Sequence, residues 1–379
     1  MKINVIGGGP AGLYLAILMK KQDPANQVTI FERDAPDDTF GWGIVFSGQT
    51  FSYLKDNDPE SHQQIIANCQ TWDNVDIVHR GRRVTIRGNR FSGIARLRFL
   101  NLLQDRCISL GVDIKFKSNI ASPNDLRDCD ILVGADGANS LVRRTYEGHF
   151  RPSVDLRRNK YIWLGTHQPF AGLTLTFRQN GGGLFIAHSY RFSPITSTFI
   201  VECNEPTWNA AGFAAMSEEG TCRYLEKVFE DDLGGHSLLV NGFVRWLNFP
   251  LVKNARWYHE NVVLVGDALH TAHFSIGSGT KLAVEDSIAL SKCFEDGSSV
   301  EAALKRFEDT RKPVIDAYQR AAESSLLMFE NAGDMMGLDP IPFAFKMMTR
   351  SARVDYENLK KRDPRFIEEY DAWRRGSNE

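Results

Sequence analysis

The stretch KINVIGGGPAGLYLAILMKK, residues 2–21, governs how the rest of the chain is read. KINVI has the apolar run of a buried strand, GGGPAG is a tight turn, and LYLAILMKK continues as a helix. A second strand, QVTIFE, follows at 27–32. Strand, turn, helix and strand make a βαβ opening. In such a unit Gly7 permits the turn, Gly9 lets the backbone approach a pyrophosphate, and Gly12 allows helix and strand to pack closely. The helix start around Pro10 and Ala11 presents N–H groups and partial positive charge to phosphates. Glu32, with Arg33 beside it, stands where a carboxylate accepts hydrogen bonds from ribose hydroxyls. The unit predicts a bound dinucleotide without saying which.

The same construction recurs late in the chain. GDALHTAHFSIGSGTKLAVED, residues 266–286, follows the apolar strand VVLVG. Asp267 is placed to hold a ribose or ribityl hydroxyl. The helix start at Gly277, Gly279, Thr280 and Lys281 offers N–H donors to an electron-rich edge, and Lys281 adds a positive charge there. Between the two loops, DILVGADGANSLVRR at 130–144 is a strand that runs into Asp136–Gly137 and a helix start at Ser140. Two distant glycine loops predict one long cofactor held at both ends by backbone.

Composition sets the bounds. A length of 379 residues is long for one core, and 42% apolar with 24% charged residues is ordinary for a globular protein. The net charge of −2 gives no electrostatic case for nucleic acid. Arginines bunch between Arg80 and Arg98, as a solvated face or as an anion-binding surface. The cysteines are scattered without a CxxC or a His/Cys cluster, so a reducing compartment and no metal are expected. There is no basic leader and no apolar run of ~18 residues, which points to a cytoplasmic protein without a membrane span. Arginine-rich strands at 74–94, a helix at about 96–109, a β-rich block from about 160 to 250 and a helical tail complete the pattern. The expected class is α/β: a Rossmann-like cofactor domain (1–73, 95–158 and 260–320), an inserted β-rich substrate domain (74–94 and 159–259) and a helical C-terminal segment (321–379).

Taken in order, the three motifs resemble the single-component FAD-dependent aromatic hydroxylases of the para-hydroxybenzoate hydroxylase type. By that resemblance Gly7, Gly9, Gly12 and Glu32 hold the ADP half of FAD. Arg96, opening RLRFLNLL, reaches the pyrophosphate or ribityl region, Asp136 belongs to the family's DG motif, and Asp267 grips the ribityl chain. Trp42 and Gly43 are counted with the cofactor residues. The implied reaction uses NADH or NADPH to reduce FAD and O2 to form a C4a-hydroperoxyflavin, which hydroxylates an aromatic ring. No second dinucleotide fingerprint exists in the sequence, so the nicotinamide is expected to bind transiently.

FGWGIVFS (40–47), NKYIWLGT (159–166), FIAHSYRF (185–192), TFIVEC (198–203) and the tail at 329–364 narrow the likeness to members acting on aromatic acyl-CoA thioesters. Salicylyl-CoA, hydroxylated at the 5-position, and aminobenzoyl-CoA are such substrates. Where the wider family has a proline before the late turn, this chain has His273-Phe274-Ser275-Ile276. Val45, Ser47, Phe185, Tyr190 and Phe274 are the candidate substrate contacts. His188 and His273 are the candidate proton-transfer groups beside Lys281, and the arginine group is a candidate for CoA phosphates. The competing readings are a hydroxylase of a free aromatic, such as tryptophan or another indole, and a flavin-binding protein without a catalytic task. A monomer or homodimer is expected.

Overall fold

A computed structural model describes residues 1–242 and 245–377; residues 243 and 244 of the expected β-rich segment, and 378 and 379 of the tail, lie outside the described residues. Lys2–Ile6 and Gln27–Phe31 are parallel strands, paired from Lys2 with Gln27 to Ile6 with Phe31, and joined by the helix Pro10–Gln22. Their sheet has six strands in the order Tyr258–His259, Val262–Leu264, Ile131–Gly134, Lys2–Ile6, Gln27–Phe31, Asp113–Lys115. Every neighbouring pair is parallel except the first. Val5, Ile30, Leu132 and Val263 are fully buried, as expected of a parallel sheet covered on both faces.

Residues Ala11 to Met19 are buried without a break, because the first helix packs against the sheet and against the helix Gly279–Lys292. Ser287 Oγ donates to the Ala11 carbonyl at 2.8 Å. A Cβ on Gly266 would stand 2.9 Å from that of Ala11. The early and late glycine loops are thus packed on each other, which is what their common construction predicts.

A second, eight-stranded sheet runs Leu238–Leu239, Pro152–Thr166, Ser197–Cys203, Gly183–Arg191, Leu173–Asn180, Val75–His79, Arg82–Ile86, with Leu247–Asn254 also paired to Pro152–Thr166. Phe185, Phe199, Phe213 and Phe229 form the core between one face and the helices Glu205–Ala210 and Glu218–Val228. The other face, through Ile77, Leu175, Phe177 and Ile186, meets Phe329, Phe343, Met347 and Phe366 of the C-terminal helices. A small antiparallel sheet is formed by Gly43–Ser47, Phe91–Ala95 and Gln70–Trp72, with Phe91–Ala95 in the middle.

Three boundaries differ from the expectation, the first where the strand Phe91–Ala95 crosses residue 94. The strand Pro152–Thr166 crosses residue 158, beginning where Arg151 (φ 49°) turns the chain out of the helix Glu147–Phe150. The helix Val300–Glu330 crosses residue 320 without interruption. The arginine group, read as a solvated face or as an anion-binding surface, stays exposed at Arg80, Arg82, Arg83, Arg87, Arg90 and Arg98, and three of its members have carboxylate neighbours. Arg80 lies 3.6 Å from Asp339, Arg82 3.8 Å from Glu369 and Arg83 2.9 Å from Asp76, so two of the matching carboxylates arrive on the folded tail. Among the described residues no helix is long and apolar enough to cross a membrane.

Candidate active site

The first glycine loop has the shape its spacing requires. Gly7 adopts φ 110°, and a Cβ there would fall 2.3 Å from the Ala135 carbonyl oxygen. One on Gly12 would fall 2.2 Å from the Gly7 carbonyl, whereas nothing lies within 4 Å of a Cβ on Gly9. With Pro10 in the first turn, Gly9 at the N-cap and no acidic side chain there, the helix start keeps free N–H groups beside open space. Glu32 steadies the loop, accepting from the Gly8 N–H at 2.5 Å and the Asp34 N–H at 2.9 Å. Arg33 is exposed and pairs with Asp34 at 3.4 Å.

The remaining cofactor candidates come together from three distant segments. Trp42 accepts the Arg96 N–H through its carbonyl at 2.8 Å, while Gly43 pairs with Ala95 across the small sheet. Arg96 Nε is buried with no partner; burial pulls its pKa down and Asp267 opposes the shift. Asp267 lies open to solvent inside a cleft whose walls raise its pKa, against the pull of His270 and Arg96. Its carboxylate has no hydrogen-bond partner among the described residues. Asp136 caps the helix Leu141–Thr145, with Oδ2 accepting from Leu141 N–H at 2.6 Å and Val142 N–H at 3.1 Å; its Oδ1 is buried and unpaired. Gly277 has φ 59° and sits against Val45. Gly279 faces open space next to the half-buried Thr280, and the helix it opens has no side-chain cap.

Unpaired polar groups on Arg96, Asp136 and Asp267, between two uncapped helix starts, fit the phosphates and ribityl hydroxyls of FAD. Lys281 departs from its expected role. Its ammonium lies 2.5 Å from Glu285 and donates to Tyr318 Oη at 2.7 Å, so its charge is balanced within the protein rather than aimed freely at a flavin edge. Glu285 and Asp286 in turn bind Arg311, at 3.0 and 2.9 Å, tying the late helix to the long helix behind it.

On the second sheet, cross-strand pairing places Tyr161 opposite Glu202, Ile200 opposite His188 and Thr198 opposite Tyr190, all on one face. Phe185 is on the other face, against Phe213 and Tyr224, because strand side chains alternate; it is core and not a substrate contact. Tyr190 donates its hydroxyl to the Gly43 carbonyl at 2.7 Å, and its ring stacks on Trp72, so it holds the 41–47 loop. Thr198 Oγ1 accepts from Gly43 N–H at 2.9 Å. Val45 and Ser47 are half-buried, while Ile44 and Phe46 between and before them face the core. Phe274 is the centre of an aromatic group, 5.0 Å from Tyr161, 5.3 Å from His188 and 4.1 Å from His273 between ring centroids.

Two buried histidines flank that ring. His188 Nε2 is 2.6 Å from Glu202 Oε1, and Asn159 Nδ2 donates to Glu202 Oε2 at 3.0 Å. Burial works against a charge on Glu202, but His188, His273 and Asn159 together hold its pKa below the ordinary value. The carboxylate is therefore ionised and His188 carries its proton on Nε2. His273, by contrast, is driven down to about 4 by burial, so its ring is neutral at neutral pH. Burial and the charge of Asp267 push Tyr161 up to about 12.

Glu202, Asn159, Tyr161 and Arg350 were not among the residues singled out from sequence. Glu202 did leave a signal: it is a carboxylate in STFIVEC, a strand buried along its whole length.

No family profile matches the chain. Among solved structures, 2-methyl-3-hydroxypyridine-5-carboxylic acid oxygenase superposes with a TM-score of 0.74 over 95% of this chain and 98% of that one, at 20% identity. PqsL of P. aeruginosa does so with 0.69 over 89% and 98%, at 18% identity. The fold is that of these oxygenases.

Sequence similarity goes further. Salicyloyl-CoA 5-hydroxylase of Streptomyces sp is 38% identical over 98% of this chain and 74% of its own length. Protodeoxyviolaceinate monooxygenase of Chromobacterium violaceum is 38% identical over 90% and 92%. A 3-hydroxy-4-methyl-anthranilyl-[aryl-carrier protein] 5-monooxygenase of Streptosporangium sibiricum is 33% identical over 88% and 91%. The chain belongs to the FAD-dependent aromatic monooxygenases and is an aromatic hydroxylase.

Proposed function

We propose that the substrate is an aromatic acid delivered as a CoA thioester, of the salicyloyl-CoA kind, and that NADH or NADPH is the reductant. Two of the relatives support a carrier-bound ring, one by its CoA and one by its aryl-carrier protein. FAD, held by the two glycine loops with Arg96, Asp136 and Asp267, supplies the oxygen-activating chemistry when bound. The chain's own part is to place the ring, keep water away and move a proton. Tyr161, Phe249 and Phe274 line an apolar corner for a flat ring, with Val45 and Ser47 along the 43–47 strand as further contacts.

The observation that supports a ring bearing a hydroxyl is the buried Glu202–His188 pair beside Phe274; the thioester rests on the relatives. With Nε2–H committed to the carboxylate, His188 Nδ1 is the atom that takes the proton of a ring hydroxyl. Loss of that proton pushes electron density to the ring position para to the oxygen, which in a salicyl ring is the 5-position. The test is substrate-stimulated NAD(P)H oxidation with salicyloyl-CoA, salicylate and tryptophan. Stimulation by the thioester above both free compounds is expected; stimulation by a free compound alone rejects the CoA reading.

A second reading is a hydroxylase of a free, indole-bearing aromatic. It is favoured by the protodeoxyviolaceinate monooxygenase, whose likeness covers 92% of its own length at the same identity. The same assay decides between them.

A further inference from the structure

The turn that replaces proline in this chain is wired to the C-terminal segment. Arg350 Nε donates to Ser325 Oγ at 2.9 Å, Ser325 Oγ lies 2.8 Å from Ser275 Oγ, and Ser275 Oγ lies 2.8 Å from His273 Nδ1. A second arm of the guanidinium donates to the Ser275 carbonyl at 2.7 Å, and the whole group is packed over the Phe329 ring.

Direction along this chain is set at its far end. A guanidinium has no acceptor atom, so Ser325 accepts from it; Ser275 is the other partner of the Ser325 hydroxyl among the described residues and is the acceptor left for its hydrogen. Ser275 then gives its hydrogen to His273. The backbone N–H of Ser275 also points at His273 Nδ1, at 3.4 Å, and it too can only donate. Nδ1 is therefore held as an acceptor, and the ring proton belongs on Nε2. Among the described residues nothing accepts from that Nε2, and the atom is not sealed from solvent.

We propose that Arg350, Ser325 and Ser275 are positioning residues which fix His273 as an Nε2–H donor to an acceptor oxygen of the substrate, its thioester carbonyl or ring oxygen. His273 is then the complement of His188, one ring giving a hydrogen bond where the other takes a proton. A neutral ring is needed for this, and burial supplies it. The identity of the acceptor rests on the proposed function; the tautomer does not.

The test uses FAD-reconstituted enzyme with 15N-labelled histidine, His273 being assigned by its absence in His273→Asn. A pyridine-type Nδ1 and a pyrrole-type Nε2 are expected in the wild type and in Ser325→Thr, which keeps the hydroxyl. Ser325→Val has the same shape without the hydroxyl, and Arg350→Met removes the anchor; both should give a tautomer mixture. With salicyloyl-CoA as probe, Ser325→Val should raise KM about tenfold relative to Ser325→Thr, the loss of roughly one well-made hydrogen bond. A protonated Nδ1 in the wild type, or identical tautomers in the Thr and Val variants, overturns the proposal. The expected tautomers with no response to salicyloyl-CoA in any variant keep the wiring and overturn the thioester substrate instead.

Discussion

Glu202 and His273 show how one environment drives two groups to different ends. Both are buried near Phe274, yet Glu202 keeps its charge through its partners and His273 loses the capacity for one. In Glu202→Gln the acceptor for His188 Nε2–H is neutral, and the proton on His188 is no longer held in place. Turnover of a phenolic substrate should fall by about a hundredfold, the usual scale for a general base. An aniline of the same shape needs no such deprotonation and should lose far less; equal losses on both would reject the assignment.

His273 also makes stability depend on pH. Its proton is taken up near 6.5 in the unfolded chain and near 4 in the fold, so between those values the unfolded state binds more protons. Folding stability should therefore decline as pH falls from about 6.5 to about 4, by an amount on the order of 3 kcal/mol, and gain nothing further from this group below that. Urea midpoints at pH 4.5 and 7.5 should separate more in the wild type than in His273→Asn. Parallel declines would show that the histidine is not held neutral. None of this was visible in the residue types alone: His188 and His273 could be picked out, but their partners come from other strands and from the tail.

Elements were far more legible than side-chain partners. The helix expected at about 96–109 is Arg96–Ser109. Gly7 and Gly12 do what their spacing implies, because the constraint there is local and steric. Gly12→Ala isolates it: the new methyl meets a backbone carbonyl at 2.2 Å, so the turn or the helix must shift. A loss of about 1–3 kcal/mol in stability is expected, together with weaker FAD retention, read by thermal unfolding with and without added FAD. Unchanged values in both would mean that close packing at this turn is unimportant. Lys281 marks the limit of such local reading. Its place in the helix start was legible, but Glu285 is one turn away on the same face, and that pairing decides where the charge goes.

Across the whole molecule, the order of motifs fixed the class, while the edges of its parts depended on contacts between segments far apart in sequence. The tail illustrates this. It was expected to be helical, but nothing in it announced that it would cover the second sheet or deliver Arg350 to the 273–276 turn. Phe343, fully buried, stacks on His79 at 3.9 Å and meets Phe177 edge-on at 4.7 Å between centroids. Phe343→Ala should cost about 3–5 kcal/mol, seen as a lower urea midpoint. A cost below 1 kcal/mol, about that of an exposed residue, would show that the tail does not share the core of the sheet.

Ser287, whose hydroxyl grips the first turn of the amino-terminal helix, leaves the ribosome long after Ala11 does. A nascent chain therefore carries half a cradle through most of its synthesis and completes the other half only when the late helix emerges. A cofactor bound across both halves would join segments far apart in the sequence, and its removal is expected to loosen both together.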